Sequence, residues 1–545
     1  MIENLKNKEI NWWKVFFVIF VAAYMTVLLI NPQLGSVSDD VVFLRTLQSG
    51  HFMSFSSPDF PYYDSIKWGR FSPTGAQEYN IFGLFSNSPS PFWYYFAHAI
   101  QLIIFLFLLI KLISKVTSNK WLIYGIPVLF SLTSSVVIPW FRLLLYERDV
   151  VLFFAAFLLC YLAYLEKRKW FYAVLSVLFA GLAVYGKETA FIALAAFTFS
   201  HLIFTWKTAS KKVKILDFAL WLVSLSYITV YYFYVYVNRG PVLYIPSFEF
   251  YNFIKVTLVN YLLSDPLIFL IILPLTVWRI YQIFVKKQNP QPIYDAMLIA
   301  ASVLTLAYLI LHIQGLYYLL SAYVFALPAL IYFFPREKLT WRWKIVLLIS
   351  SFIIVFSTIP VGLRNLTWMK TQPINYNKML DFIVKDIKNK HPNGGANIFT
   401  DAGQWEYFVL SEFLRFRGLP DKQFDLKTNE EIVPYSLLVL PIKIKPPHTV
   451  FSNEKIIPIS QPVQGDYYIV SANGRKRQGD DYDHSLDKDY QLVFSVKSRF
   501  IFPMIDIKSL ARYLILKTPI LNKTLDTTKK TYIFDSPDYY VFIHK

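Results

Sequence analysis

Cysteine is nearly missing from this chain: its 545 residues include one, Cys160. A single thiol inside an apolar stretch excludes an intrachain disulfide framework and any multi-cysteine zinc site. Charge is sparse as well, with 36 acidic against 54 basic residues and charged residues at 17% of the chain. No internal repeat is visible. After Gly362 there is no Gly-rich nucleotide loop, no zinc spacing and no nucleophile motif, which removes the common chemistries of a soluble catalytic domain.

What the chain has in excess is apolar surface. Hydrophobic residues reach 55% and aromatics 19%, with a mean hydropathy of +0.40. A soluble domain rarely exceeds half apolar, so the composition predicts a polytopic α-helical membrane protein. Apolar runs near 12–31, 91–113, 121–140, 150–165, 170–186, 189–206, 215–237, 263–285, 293–312, 317–334 and 343–362 predict about eleven spans, each suited to a ~30 Å hydrocarbon core. The first run is long and lacks a small-residue cleavage motif before Asn31-Pro32, which predicts an anchor rather than a cleaved signal.

Basic residues set the expected orientation. Alternate loops concentrate them, as in Lys167-Arg168-Lys169, Lys207 to Lys214, and Arg336 to Lys344, while the opposite loops hold few. The positive-inside rule then places the N-terminus in the cytoplasm and everything after residue 362 outside. The net charge of +18 follows from this asymmetry and a Lys-rich tail, so no nucleic-acid partner is implied. An external domain without disulfides points to a bacterial cell membrane. Two domains are expected: residues 1–362, with a long first outer loop at 32–90, and a small α/β domain at 363–545. In the second, residues 373–392 read as an amphipathic helix, followed by β-prone runs at Asn397, Ser436, Tyr467, Gln491 and Tyr540. Asp401, Trp405 and Glu406 read as a surface loop, and the segment Arg475 to Asp481 as a solvated hairpin.

With this orientation the outer loops collect ionisable and aromatic residues, while the cytoplasmic loops read as basic only. Asp39 and Asp40 follow the first span and open a helical stretch over 40–48. Carboxylates at a membrane surface cost free energy unless solvated, paired or used. Arg142, Glu147, Arg148 and Asp149 cap another hairpin; Lys187 and Glu188 form the next turn; His312, Gln314, Tyr317 and Tyr318 close the series. Each also has an ordinary reading: a solvated helix end, a salt bridge, a buried imidazole or an interfacial aromatic belt. The joint pattern favours function.

The acidic pair Asp39-Asp40 with its surface helix, the run Arg142 to Asp149, the stretch Gly181 to Lys187-Glu188, and Tyr317-Tyr318 leading to Leu327-Pro328 together resemble the GT-C superfamily. These are glycosyltransferases that use polyprenyl-phosphate sugars, and the protein O-mannosyltransferase-like and aminoarabinose-transferase-like members look closest. The helix after Asp39 is shorter than in the latter, and the second acid is Asp rather than Glu. The resemblance implies transfer of a sugar from a polyprenyl-phosphate donor to a hydroxyl on a protein, lipid or cell-envelope glycan, with inversion. It implies Asp39 as catalytic base, supported by Asp40, Glu147 and Glu188. Lys187, Arg148 and Arg142 would meet the donor phosphate, and His312, Gln314, Tyr317 and Tyr318 the sugar or acceptor. No cofactor is implied; a divalent metal on Asp39, Asp40 and Glu147 is the less favoured arrangement. The rival class is a transporter or lipid flippase, which places charges at mid-depth in broken helices.

The orientation has a direct check. A tag after Lys545 should be reached by impermeant reagents in intact cells, whereas a protected tag would turn Asp39 toward the cytoplasm.

Overall fold

The computed structural model describes residues 11–35, 40, 43–44, 71–82, 91–237, 258, 261–263, 265–311, 313, 315–334, 341–401, 404–429, 459–472, 474, 476–478, 481–507, 509–510, 514 and 536–545. Among these, the apolar runs become helices: α1 (Trp12–Leu29), α2 (Glu78–Phe82), α3 (Phe92–Val116), α4 (Lys120–Ser131), α5 (Ser134–Phe141), α6 (Glu147–Lys167), α7 (Trp170–Val184), α8 (Ala190–Thr205), α9 (Lys211–Val230), α10 (Leu273–Phe284), α11 (Pro292–Ile310), α12 (Leu319–Phe333) and α13 (Trp341–Lys390). Short π-helical segments, Tyr231–Tyr236 and Ile268–Ile272, extend α9 and precede α10.

Every expected run is helical, yet the runs differ in reach. Seven of the described helices are long and apolar enough to cross a membrane, or eight if α4 and α5, bent by 59° at Leu132-Thr133, form one broken span. The helices Trp170–Val184, Ala190–Thr205 and Ile268–Phe284 are shorter. Fifteen residues in α7 rise only about 22 Å. The chain is a multi-pass membrane protein.

Lipid tails are as apolar as leucine, so burial from water does not hold such helices together; close backbone approach and polar contacts do. Small residues accordingly sit at the seams. Ala296, Ala300 and Ala301 of α11 and Ala322, Ala326 and Ala329 of α12 are fully buried. The outward faces of α1 and α13 expose Trp12, Phe16, Ile19, Leu348 and Phe352, as a lipid-facing surface requires. Gly362 marks the tightest crossing: a Cβ there would lie 1.7 Å from the Leu132 carbonyl oxygen, where α13 passes the bend between α4 and α5.

α13 departs from expectation. Instead of a span, a break and a second helix, it runs unbroken for 50 residues through Pro360 and Pro373, about 75 Å. Its later turns carry the C-terminal domain. There β1 (Ala396–Thr400), β2 (Phe424–Lys427), β3 (Tyr467–Val470), β6 (Tyr490–Val496) and β7 (Tyr539–His544) form one sheet in the order β2-β1-β3-β7-β6. The first three strands are parallel; β3, β7 and β6 pair antiparallel. The sheet packs on α13 through aromatic contacts: Tyr467 at the start of β3 donates to Asp386, and Gln372 donates to the Tyr539 hydroxyl at 2.6 Å. Because Tyr539 lies at the end of the sheet where β3 finishes, β1 and β3 run toward the helical bundle.

Two tail readings change. Trp405 and Glu406 belong to α14 (Gln404–Phe416), not to a loop. Arg477 is not a solvated hairpin residue: it is buried in the strand β4 (Arg477–Gln478), which pairs with β5 (Asp481–Tyr482), and it donates to the Ser536 carbonyl. Ser436 and Arg475 lie outside the described residues.

The polar residues also differ from the expected one-sided distribution. At the end of the bundle far from the sheet, Tyr161, His201 and Asp217 form a buried triad across α6, α8 and α9, with the Tyr161 hydroxyl 2.5 Å and the His201 Nδ1 2.8 Å from the Asp217 carboxylate. Arg279 grips Asp295 in a two-pronged bond at 2.8 and 3.0 Å, under the Phe333 ring. Hydropathy misses such groups because each is neutralised inside the bundle.

Candidate functional site

The sheet-bearing end of the bundle gathers most of the expected site residues. The segment from Leu34 is tied to α13, with Asn377 donating to the Leu34 carbonyl, and Gly35 lies so close that a Cβ would sit 2.5 Å from Gln372 Oε1. The Gly35 N–H donates to the Asp40 carboxylate at 2.7 Å, and Asp40 is buried. Asp40 thus bonds back to the segment that packs on α13. Phe43 and Leu44 beyond it are helical and fully buried, so what is described of the surface helix packs into the protein. Asp39, His312 and Gln314 lie outside the described residues.

Lys187 and Glu147 come together as an ion pair at 3.2 Å, both nearly buried. The ammonium sits 5.1 Å above the Tyr318 ring and 5.7 Å above Tyr146. Tyr317 stacks obliquely on Tyr318, centroids 4.4 Å apart, and Tyr308, whose ring lies 5.6 Å from that of Tyr318, shares a hydrogen bond with the Thr189 hydroxyl at 3.0 Å. Glu188 is half-buried in the same turn as Lys187. Arg142 is half-buried and within electrostatic reach of both Tyr317 and Tyr95, and Tyr95 is in turn within reach of Asp40.

Arg148 is a correction. It was expected at a donor phosphate, but its guanidinium is fully buried and its five N–H groups are consumed inside the protein. Nε donates to Gln101; Nη1 to the carbonyls of Pro139, Leu143 and Leu145; Nη2 to Glu78 at 2.7 Å and the Tyr79 hydroxyl at 2.8 Å. The carbonyls it meets are those left open where α5 ends and α6 has not begun, groups that must be satisfied when buried. His98 joins the same network, with Nδ1 at 2.9 Å from the Trp140 carbonyl and Nε2 against the Tyr79 hydroxyl. Asp149 accepts from the Ala76 N–H and from Gln101. Loop 71–79 is thereby fastened over the helix ends, with the Thr74 hydroxyl donating to the Leu182 carbonyl and Tyr227 to that of Phe71.

The sequence reading missed Asp265. It is buried between Ser135, whose hydroxyl bonds it at 3.3 Å and also donates to the Leu316 carbonyl at 2.9 Å, and the Tyr323 hydroxyl. Its signal was the Asp-Pro step that opens an apolar run. Through Ser135 it fixes the backbone that presents Tyr317 and Tyr318. Among the described residues no three acids, histidines or cysteines converge as a metal-ligating group; Asp39 is not among them.

The arrangement provides a compact ion pair under an aromatic canopy, a second cation within electrostatic reach of Tyr317, and a buried Asp40 bonded to Gly35. No family profile matches the chain, and no curated protein matches it. Among solved structures, the crystal structure of ArnT from Cupriavidus metallidurans bound to undecaprenyl phosphate is similar to it across 85% of this chain and 94% of that one, at 13% identity and a TM-score of 0.38.

Arg148 yields a prediction that separates architecture from ligand contact. Arg148→Met removes a buried cation and strands Glu78 and three carbonyls, which should destabilise the protein by about 3–5 kcal/mol. Thermal unfolding in detergent measures this; unchanged stability with lost phosphate binding would return Arg148 to the ligand.

Proposed function

We propose that this chain is an integral-membrane glycosyltransferase that moves a sugar from a polyprenyl-phosphate donor to an acceptor hydroxyl at the outer membrane face. The observation that carries this reading is the Lys187–Glu147 pair beneath Tyr146 and Tyr318, with Arg142 within electrostatic reach of Tyr317 and a buried Asp40 bonded to Gly35. Cations at the membrane surface suit a lipid phosphate, and tyrosine faces and hydroxyls suit a sugar.

In the reaction, the acceptor oxygen attacks the anomeric carbon while the bond from that carbon to the phosphate oxygen breaks. The electron pair leaves on the phosphate, and the acceptor proton passes to a carboxylate. Asp39 is the base; Asp40, bonded to the Gly35 N–H, anchors the chain next to it. Lys187 and Arg142 stabilise the charge that develops on the departing phosphate. A single displacement inverts the anomeric centre. Glu147 opposes donor binding in the ground state, since its carboxylate competes with the phosphate for the Lys187 ammonium. As the leaving group gains charge, that competition shifts toward the phosphate, which favours the transition state over the bound substrate. The acceptor is a hydroxyl of a protein, lipid or glycan.

Four variants test the proposal together. Asp39→Asn should lower turnover by about 10²- to 10⁴-fold while donor binding holds, and Asp40→Asn, which keeps one acceptor oxygen for Gly35, should be milder. Lys187→Ala should weaken donor binding about 10- to 150-fold, whereas Glu147→Gln should strengthen it by freeing the ammonium. Full turnover in both aspartate variants, or unchanged donor affinity in Lys187→Ala, would overturn the assignment.

A further inference from the structure

The segment after α1 crosses α13 at Pro373 with no room for a side chain: a Cβ on Gly35 would lie 3.1 Å from Pro373 Cγ and 2.5 Å from Gln372 Oε1. Gln372 and Asn377, on either side of that proline, are both buried. Gln372 donates to the Tyr539 hydroxyl of β7 at 2.6 Å. Asn377 makes three bonds. One amide hydrogen goes to the Pro373 carbonyl four residues back at 2.8 Å, which fixes the side chain against its own helix. The other goes to the Leu34 carbonyl at 2.8 Å, and the amide oxygen accepts from the Arg417 guanidinium at 2.5 Å. Both donors and the acceptor of the amide are thereby engaged.

Arg417 belongs to the C-terminal domain. It follows the last turn of α14, where its own N–H meets the Phe413 carbonyl at 3.0 Å, and it also pairs with Asp381 of α13. Phe413 of that turn seats edge-on against Tyr376, with centroids 5.3 Å apart, and Tyr376 lies 5.6 Å from Tyr539. A line of direct hydrogen bonds therefore runs from Arg417 through Asn377 to Leu34, and the next residue, Gly35, donates its N–H to Asp40. Asparagine is a poor helix former, and neither end of this line tolerates a simple replacement. Leucine would strand the buried Leu34 carbonyl, and aspartate would set an acceptor where that carbonyl needs a donor.

We propose that Asn377 is a positioning residue for the acidic pair: through it and Arg417 the C-terminal domain holds Leu34, Gly35 and Asp40 in place, and with them the neighbouring Asp39. The domain then acts in the reaction by fixing the base. The catalytic part of this inference rests on the sugar-transfer reading; the mechanical link from Arg417 to Gly35 does not.

Hydrogen exchange of the full chain in detergent, followed on peptides containing the Gly35 amide, measures the link without turnover. Asn377→Asp keeps the shape and gains an ion pair with Arg417, but it removes the donor to Leu34. Exchange in those peptides should rise about 5- to 150-fold, while peptides of α11 and α12 stay as in wild type. Arg417→Met leaves the Leu34 bond itself and cuts the line at the domain, so the rise should be about 2- to 12-fold; Arg417→Lys, which keeps a charged donor, should recover most of the protection. With a polyprenyl-phosphate sugar as donor, kcat should fall in the same order while donor Kd holds, since neither variant touches the Lys187–Glu147 pair. Unchanged Gly35 exchange in Asn377→Asp would refute the link, and a rise there but none in Arg417→Met would refute the domain's part in it. Faster exchange with undiminished kcat would refute the positioning of the base. A wild type that transfers no sugar would overturn the sugar-transfer reading and leave the exchange results to decide the link.

Discussion

The buried guanidinium of Arg148 is the interaction on which this end of the molecule depends. A helix break inside a bundle leaves carbonyls that neither water nor the helix can satisfy. Arg148 meets those of Pro139, Leu143 and Leu145 together with Glu78, Tyr79 and Gln101. One side chain thus closes the α5–α6 break and fastens the first loop above it. Glu147, the next residue back, is held at the mouth as a consequence, and it meets Lys187 from the α7–α8 turn. The ion pair at the site is therefore built on a network that itself has no N–H to spare for a ligand.

The polar contents of the bundle fall into two layers with different character. Away from the sheet, the Tyr161–His201–Asp217 triad and the Arg279–Asp295 clamp are closed sets that lock helices to one another. Near the sheet, Lys187 pairs with Glu147 at 3.2 Å under tyrosine rings, and Asp265 lies among hydroxyls. Closed sets such as the triad and the clamp hold a fold. α13 joins the two layers, since the helix that crosses the α4–α5 bend at Gly362 also holds Gly35 beside Gln372 and carries the sheet on its outer turns.

Hydropathy alone located the helices, because a lipid-facing helix must be apolar along its length whatever it packs against. The unbroken course of α13 was not legible: Pro360 and Pro373 signal breaks locally, at about 3 kcal/mol each in an isolated helix, and only packing on α5 and the sheet overrides them. The sequence placed Lys187 and Glu147 at the same end, and their pairing agrees with that. It could not distinguish Arg148 from Arg142, since both are arginines in one short turn and their roles depend on which of them points into the α5–α6 break. Asp265, Tyr161 and Asp217 were passed over for the same reason. A single acid in an apolar run is averaged away by a hydropathy window, and its partner lies far off in sequence. The β-prone runs predicted strands at Tyr467 and Tyr540, but the order β2-β1-β3-β7-β6 arises from crossovers that local patterns do not encode.

The central claim is that the donor is a lipid-linked sugar whose glycosyl–phosphate bond is broken at this site. Incubating the purified chain in liposomes with a polyprenyl-phosphate sugar radiolabelled in the sugar, together with cell-envelope acceptors and no nucleotide sugar, tests it most directly. The account predicts that label moves to an acceptor as free polyprenyl phosphate appears in equal amount. Intact donor redistributed between the two leaflets, with no polyprenyl phosphate released, would contradict it and identify a carrier instead.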